Sequence, residues 1–264
     1  MGQAVGAMNA GRMGVAAEIC KGILSEAPAY PPAHQLLAVI YLEQGQVSDA
    51  GHHILSSVKS RPEHVPSLLI AAKVARAEHD LVAAMSYFKR AASLAPGEPE
   101  PLYLSGLVLL EQGKLAAAVE VLKLLVNLHP LHVPGWSCLG TALQQSNLCE
   151  AASVALRRSV EIQPKQAEAW FTLGLVQQDM CDFSGAATAF RTALRYRSDF
   201  VEAAVNLGIV LQQYGASEEA FSAYQKAYQI RPETFGRIAN ALTSGPSGRL
   251  WLDLSVLRRL LAAT

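Results

Sequence analysis

Neither sign of charge is in excess in this 264-residue chain, where 22 Lys and Arg stand against 22 Asp and Glu. Sequence-independent nucleic-acid binding depends on surplus Lys and Arg neutralising phosphates, so the balance argues against it. Long hydrophobic runs are missing too. The most apolar stretch, residues 102–110, is short, well below the ~18 residues of a membrane span. The opening Met-Gly-Gln-Ala-Val-Gly has no signal-peptide core, and Gly6 stands where N-myristoylation wants Ser or Thr. A cytoplasmic protein that does not insert into membrane is expected. Cysteine is scarce: Cys20, Cys138, Cys149 and Cys181 make no C-x-x-C pair and no zinc spacing, so neither a disulfide nor a metal is expected. His52 and His53 are adjacent, hence on different helix faces, and the other histidines scatter. No phosphate-cradling glycine loop, placed nucleophile–base pair or acid pair appears, so no catalytic residue and no cofactor is expected.

What the chain has is a beat of 34 residues, with alanine returning at Ala50, Ala84, Ala118, Ala152, Ala186 and Ala220. A small residue precedes each one, at Ala38, Ala72, Gly106, Gly140, Gly174 and Gly208. Four positions after each alanine comes a bulky apolar residue: Ile54, Phe88, Leu122, Leu156, Phe190 and Tyr224. Pro62, Pro96, Pro130, Pro164 and Pro232 close the periods, with Ser198 the exception. Such a period marks stacked helical units, because one unit cannot bury its apolar face alone.

Each period divides into two helices. From Val133, the residues Trp136, Leu139, Gly140 and Leu143 recur at spacings of three and four, one face of a helix. Gly140 lets the second helix approach, and Ala152 is expected to supply the matching small surface; anything larger would overpack by roughly 1–3 kcal/mol. Gly45, Gly113 and Gly215 fall between the helices, where a left-handed cap suits glycine, and Asn147 takes the same place. The prolines follow the second helix, where it must stop. Trp136 and Trp170 share one repeat position and are expected in the core, as are Tyr224 and Tyr228.

These residues resemble the tetratricopeptide repeat, whose 34-residue signature runs W-x2-L-G-x2-Y, then A-x3-F, then P. Residues 167–200 match through Trp170, Leu173, Gly174, Ala186, Phe190 and Ala193. Residues 133–166 match through Trp136, Leu139, Gly140, Ala152, Leu156 and Pro164, and 201–234 through Leu207, Gly208, Ala220, Tyr224, Ala227 and Pro232. Residues 31–64, 65–98 and 99–132 are more degenerate, the second carrying Ala71-Ala72 for Leu-Gly. The resemblance implies an all-α, right-handed α-α superhelix, a single solenoid over 1–264. Residues 1–30 form a shortened first repeat: a short helix over 2–9, a turn at Gly11, and a second helix over 12–26 carrying Ala16, Cys20 and Ile23. Met1 lies four residues inside the start that this repeat expects. Residues 235–264 form a partial pair and cap: Ile238 and Ala241 begin a helix that Gly245-Pro246 cuts off. The stripe Leu250, Leu254, Leu257, Leu260 and Leu261 then covers the last repeat, with Ser255, Arg258 and Arg259 opposite.

Proteins of this family usually bind peptides or partner domains along a concave groove lined by the first helix of each pair. Those positions fall here on Gln35, Val39 and Leu42, then Leu69, Lys73 and Arg76, then Tyr103, Leu107 and Leu110. Further on they are Ser137, Thr141 and Gln144; Phe171, Leu175 and Gln178; and Val205, Asn206, Ile209 and Gln212. The mixed surface suits an amphipathic helix or extended segment. Lys73 and Arg76 are the expected charged anchor, with Glu78 and Asp80 as nearby balancing carboxylates. The Lys/Asn/Arg clamp of chaperone-binding members is lacking, so a heat-shock chaperone tail is not the expected partner. The resemblance implies a non-catalytic scaffold with a protein or peptide partner. The alternative is a detached substrate-recognition subunit of a separate transferase, because the family includes arrays fused to such domains. After residue 234 only about 30 residues remain, too few for one.

Overall fold

The computed structural model describes residues 1–244 and 254–263, and the chain divides into two compact units, Met1–Pro130 and Leu131–Thr264. The first holds α1 (Gly2–Asn9), α2 (Met13–Glu26), α3 (Pro31–Glu43), α4 (Val47–Ser60), α5 (Val65–Ala77), α6 (Leu81–Leu94), α7 (Pro99–Glu111) and α8 (Leu115–Leu128). The second holds α9 (Val133–Gln145), α10 (Cys149–Ile162), α11 (Ala167–Asp179), α12 (Phe183–Tyr196), α13 (Val201–Tyr214) and α14 (Ser217–Ile230). A 3-10 turn, Pro232–Thr234, leads into α15 (Phe235–Ser244) and then α16 (Leu254–Ala262). Among the described residues there is no strand. From α1 to α8, and again from α9 to α14, each helix packs on the next, an all-α solenoid of helix pairs.

The turn inside each of the seven pairs from α1 to α14 has one conformation. Gly11, Gly45, His79, Gly113, Asn147, Cys181 and Gly215 all have positive φ, between 58° and 91°. The cap closes by two backbone bonds: Gly45 N–H donates to the Leu42 carbonyl at 3.1 Å and Gln46 N–H to the Tyr41 carbonyl at 2.8 Å. The second reaches back five residues and satisfies a carbonyl that the helix end leaves open. Asp80 and Asp182 then cap α6 and α12, accepting from Ala83 and Gly185 N–H at 2.9 Å.

The helix crossing differs in one detail from the sequence expectation. The side chain seated on Gly140 belongs to Leu156, one turn beyond Ala152. The same pairing joins Gly106 to Leu122, Gly174 to Phe190 and Gly208 to Tyr224. A Cβ on Gly106 would come 2.6 Å from Leu122 Cδ2, and one on Gly174 2.6 Å from Phe190 Cε1, so each glycine makes room for the bulky partner. Ala152 is fully buried beside it. Trp136 and Trp170 are half-buried rather than enclosed. The Trp170 indole N–H donates to the Pro164 carbonyl at 2.7 Å, tying its helix to the turn before it.

The two ends close differently. On α1, Ala4 and Ala7 are buried against Ala16, Ala17 and Cys20. At the other end, Leu257 and Leu261 of α16 join a core with Tyr224, Ala227 and Ile238. Leu254 and Leu260 point outward instead, 53% and 42% exposed. Inward leucines at i and i+4 fill one narrow stripe, which leaves the flanking two outside. Arg258 lies over the Phe235 ring at 4.6 Å. Gly245, Pro246, Arg249 and Leu250 lie outside the described residues.

Candidate functional site

The first helices keep one row partly exposed. In the first unit, Gln35, Val39 and Leu42 on α3, Leu69 and Arg76 on α5, and Tyr103, Leu107 and Leu110 on α7 are all half-buried, while Lys73 is exposed. Helical periodicity explains this: Leu104 and Val108 face the second helices and are buried, so their neighbours turn to the open side. The apolar members rest their inner faces on the core, as Leu69, Tyr103 and Leu107 do around Phe88. Gln35 is already engaged, its Oε1 accepting from Arg61 Nη2 at 3.1 Å.

Lys73 and Arg76 are paired, though not with Glu78 or Asp80. Lys73 Nζ lies 2.7 Å from Glu100 Oε1, and the Arg76 guanidinium binds both carboxylate oxygens of Glu111. Both carboxylates belong to α7, so α5 and α7 are laced by two ion pairs and the row carries no surplus charge there. The signal was in the sequence, since Glu111 stands 35 residues after Arg76, one repeat further along a neighbouring first helix.

In the second unit, Thr141 and Gln144 on α9, Phe171, Leu175 and Gln178 on α11, and Asn206 and Ile209 on α13 are half-buried, as is Ser137. Gln144 Nε2 donates to Asp179 Oδ2 at 3.1 Å, the counterpart of the Arg76–Glu111 link with a neutral amide in place of the guanidinium. Phe171 packs against Phe190 and Phe200, with ring centroids 5.7 and 4.7 Å apart. Val205 and Gln212 leave the row, because both are buried. Gln212 accepts from the Tyr224 hydroxyl at 3.2 Å and donates to the Ala241 carbonyl at 3.1 Å. Burial raises the Tyr224 pKa, which keeps that hydroxyl a donor. Thus α15 covers the end of the row as a further first helix would.

A polar cluster lies on α3 and α4. The Nδ1 atoms of His34 and His53 are hydrogen-bonded at 2.9 Å, and His34 Nε2 bonds the Pro28 carbonyl at 2.8 Å. Tyr41 stacks on His53, and His52 meets it edge-on. Burial, reinforced by His34, pulls the His53 pKa below the ordinary imidazole value. The four cysteines are free thiols. No helix among the described residues is long and apolar enough to cross a membrane.

Comparison with known proteins follows the same outline. Family models of the tetratricopeptide repeat match residues 7–66, 75–139 and 171–233. No curated protein sequence matches the chain. Among solved structures, the MamA protein superimposes with a TM-score of 0.61 at 24% identity, over 66% of this chain and 94% of that one. YrrB, described as having an unusual peptide-binding site, gives 0.59 at 19% identity, over 68% and 93%. PilF of Pseudomonas aeruginosa gives 0.65 at 16% identity, over 79% and 94%. At these identities the likeness is one of fold.

Proposed function

We propose that this chain, which belongs to the tetratricopeptide-repeat family, is a non-catalytic scaffold whose first-helix face receives a segment of a protein partner. One observation carries this reading: the same positions on successive first helices stay half-exposed although many are large and apolar. Leu69, Tyr103, Leu107 and Leu110 form the apolar contact in the first unit, and Phe171, Leu175 and Ile209 form it in the second. Gln144, Gln178 and Asn206 offer amide hydrogen bonds beside them, a mixture that suits an amphipathic helix or an extended strand. Lys73 and Arg76 belong to the rim, where their pairing with Glu100 and Glu111 makes them weak anchors. The free thiols accord with a reducing, cytoplasmic setting.

The test begins with affinity capture of a partner and its identification by mass spectrometry. Affinities are then compared for Tyr103→Ala/Leu107→Ala, Leu175→Ala/Ile209→Ala and, on a second helix, Arg157→Glu. Weaker binding by either first-helix pair, with melting unchanged, supports the reading. If only Arg157→Glu weakens binding, the working face is the other one.

A further inference from the structure

The second-helix side of the second unit carries two troughs built from the same repeat positions. One, of about 370 Å³, lies among α10, α11 and α12; the other, of about 430 Å³, lies among α12, α13 and α14. The floor of the second consists of Leu194, Leu207, Leu211 and Ala223, all buried. Arg191 and Arg195 form one wall, and Glu219, Ser222 and Lys226 the other. At one end the Arg191 guanidinium bonds the Glu219 carboxylate and closes the rim. Arg195 and Lys226 are exposed, and neither meets a carboxylate among the described residues. Arg195 lies only over the neighbouring Tyr196 ring, at 5.2 Å.

The first trough supplies an internal control. Its counterpart of Arg195 is Glu161, and its counterpart of Leu211 is the polar Gln177. It is lined by one cation, Arg157, and one carboxylate. The second is lined by three cations and one carboxylate above a wholly apolar floor. One repeat of chain has therefore turned a neutral trough into a cationic one. We propose that this trough is a docking site for an acidic amphipathic segment of a protein partner, separate from the first-helix face. Apolar side chains of the segment would lie on Leu194, Leu207 and Leu211, and its carboxylates would meet Arg195 and Lys226. The apolar floor is what selects this occupant over a nucleic acid, whose phosphates would reward the cations alone.

The probes are three fluorescent synthetic peptides of equal length: an acidic amphipathic helix of Leu and Glu, its Leu-and-Lys charge reversal, and an acidic peptide with Ser for Leu. Anisotropy titrations use the full chain, Arg195→Glu/Lys226→Glu, and Lys89→Glu/Arg90→Glu as a charge-matched control on α6. The full chain and the control bind the Leu-Glu peptide best, with affinity falling as salt is raised. Arg195→Glu/Lys226→Glu, with unchanged helicity and melting, weakens it by about tenfold or more and prefers the Leu-Lys peptide. Equal binding of the Ser-Glu peptide would overturn the proposal, since the floor would then contribute nothing. So would equal weakening by the control, or displacement of the Leu-Glu peptide by a single-stranded oligonucleotide or anionic phospholipid vesicles.

Discussion

The two units run the same 34-residue plan with different materials. Along the first, two of the three full repeats carry alanine at the crossing, Ala38 and Ala72, opposite Ile54 and Phe88. Along the second, all three carry glycine, opposite Leu156, Phe190 and Tyr224. Ala72 and Phe88 share one buried cluster, so a Cβ fits beside that ring where one would collide with Phe190. A repeat period thus fixes which positions meet but leaves the spacing of each crossing to its own pair. Histidine divides as well: His34, His52, His53, His64, His79 and His129 lie in the first unit, and His132 alone in the second.

The largest expected effect concerns how the units end. Leu257→Ala/Leu261→Ala removes two side chains buried under the last pair, each costing about 2–5 kcal/mol in urea melts. Leu254→Ala and Leu260→Ala, on the open side of the same helix, stay within about 0.5 kcal/mol each. Equal losses from both pairs would mean that α16 packs in another rotation. Next come the crossings. Gly174→Ala forces a methyl against Phe190 and costs up to about 3 kcal/mol through overpacking, whereas Ala72→Gly relieves no clash and costs about 1–2 kcal/mol through chain entropy and the loss of one buried methyl. Matching midpoints for the two variants would erase the distinction between the units.

Acid should weaken the first unit more than the second. The pKa values of His53 and His64 are lowered by burial, so the unfolded chain takes up protons first as pH falls. Their full contribution is present above the unfolded value of 6.5 and is lost as pH falls from there through the lower folded values. The groups facing His53 are His34, Tyr41, His52, Asp49 and Lys21; among the charges, Asp49 opposes the downward shift and Lys21 adds to it. Amide hydrogen exchange at pH 7.5 and 5.5 should show α3 and α4 losing more protection than α11 and α12. His53→Gln should shrink that difference. The smallest effect lies in the turns. Cys181→Gly relieves a left-handed residue at φ 58° and should stabilise the second unit by up to about 1 kcal/mol, with His79→Gly the parallel change in the first. Melts showing either variant less stable would mean that the native side chain makes a compensating contact.

Much of this architecture was legible because its determinants are local. Glycine or asparagine at five of the seven turns, and proline after most second helices, placed the helix limits closely. His79 and Cys181 adopt the same turn without any residue-type signal, held by the repeat phase alone. What was not legible depended on neighbouring repeats. Lys73 and Arg76 looked toward Glu78 and Asp80 in sequence, but the stacking of α7 on α5 brings Glu100 and Glu111 closer. Gln212 belonged to the exposed row by position and is covered because α15 lies beside α13. The trough among α12, α13 and α14 became visible only when three helices were assembled.

The His34–His53 contact also dictates where hydrogens sit. A carbonyl oxygen can only accept, so the bond to Pro28 requires His34 to carry its hydrogen on Nε2. Its Nδ1 is then a lone pair, and His53 must carry its hydrogen on Nδ1 to complete the 2.9 Å bridge. One additional proton fits on His53 Nε2 and leaves the bridge standing. The two hydrogen bonds therefore fix one tautomer for each ring, and nitrogen NMR should find two pyridine-like nitrogens in the neutral pair, His34 Nδ1 and His53 Nε2.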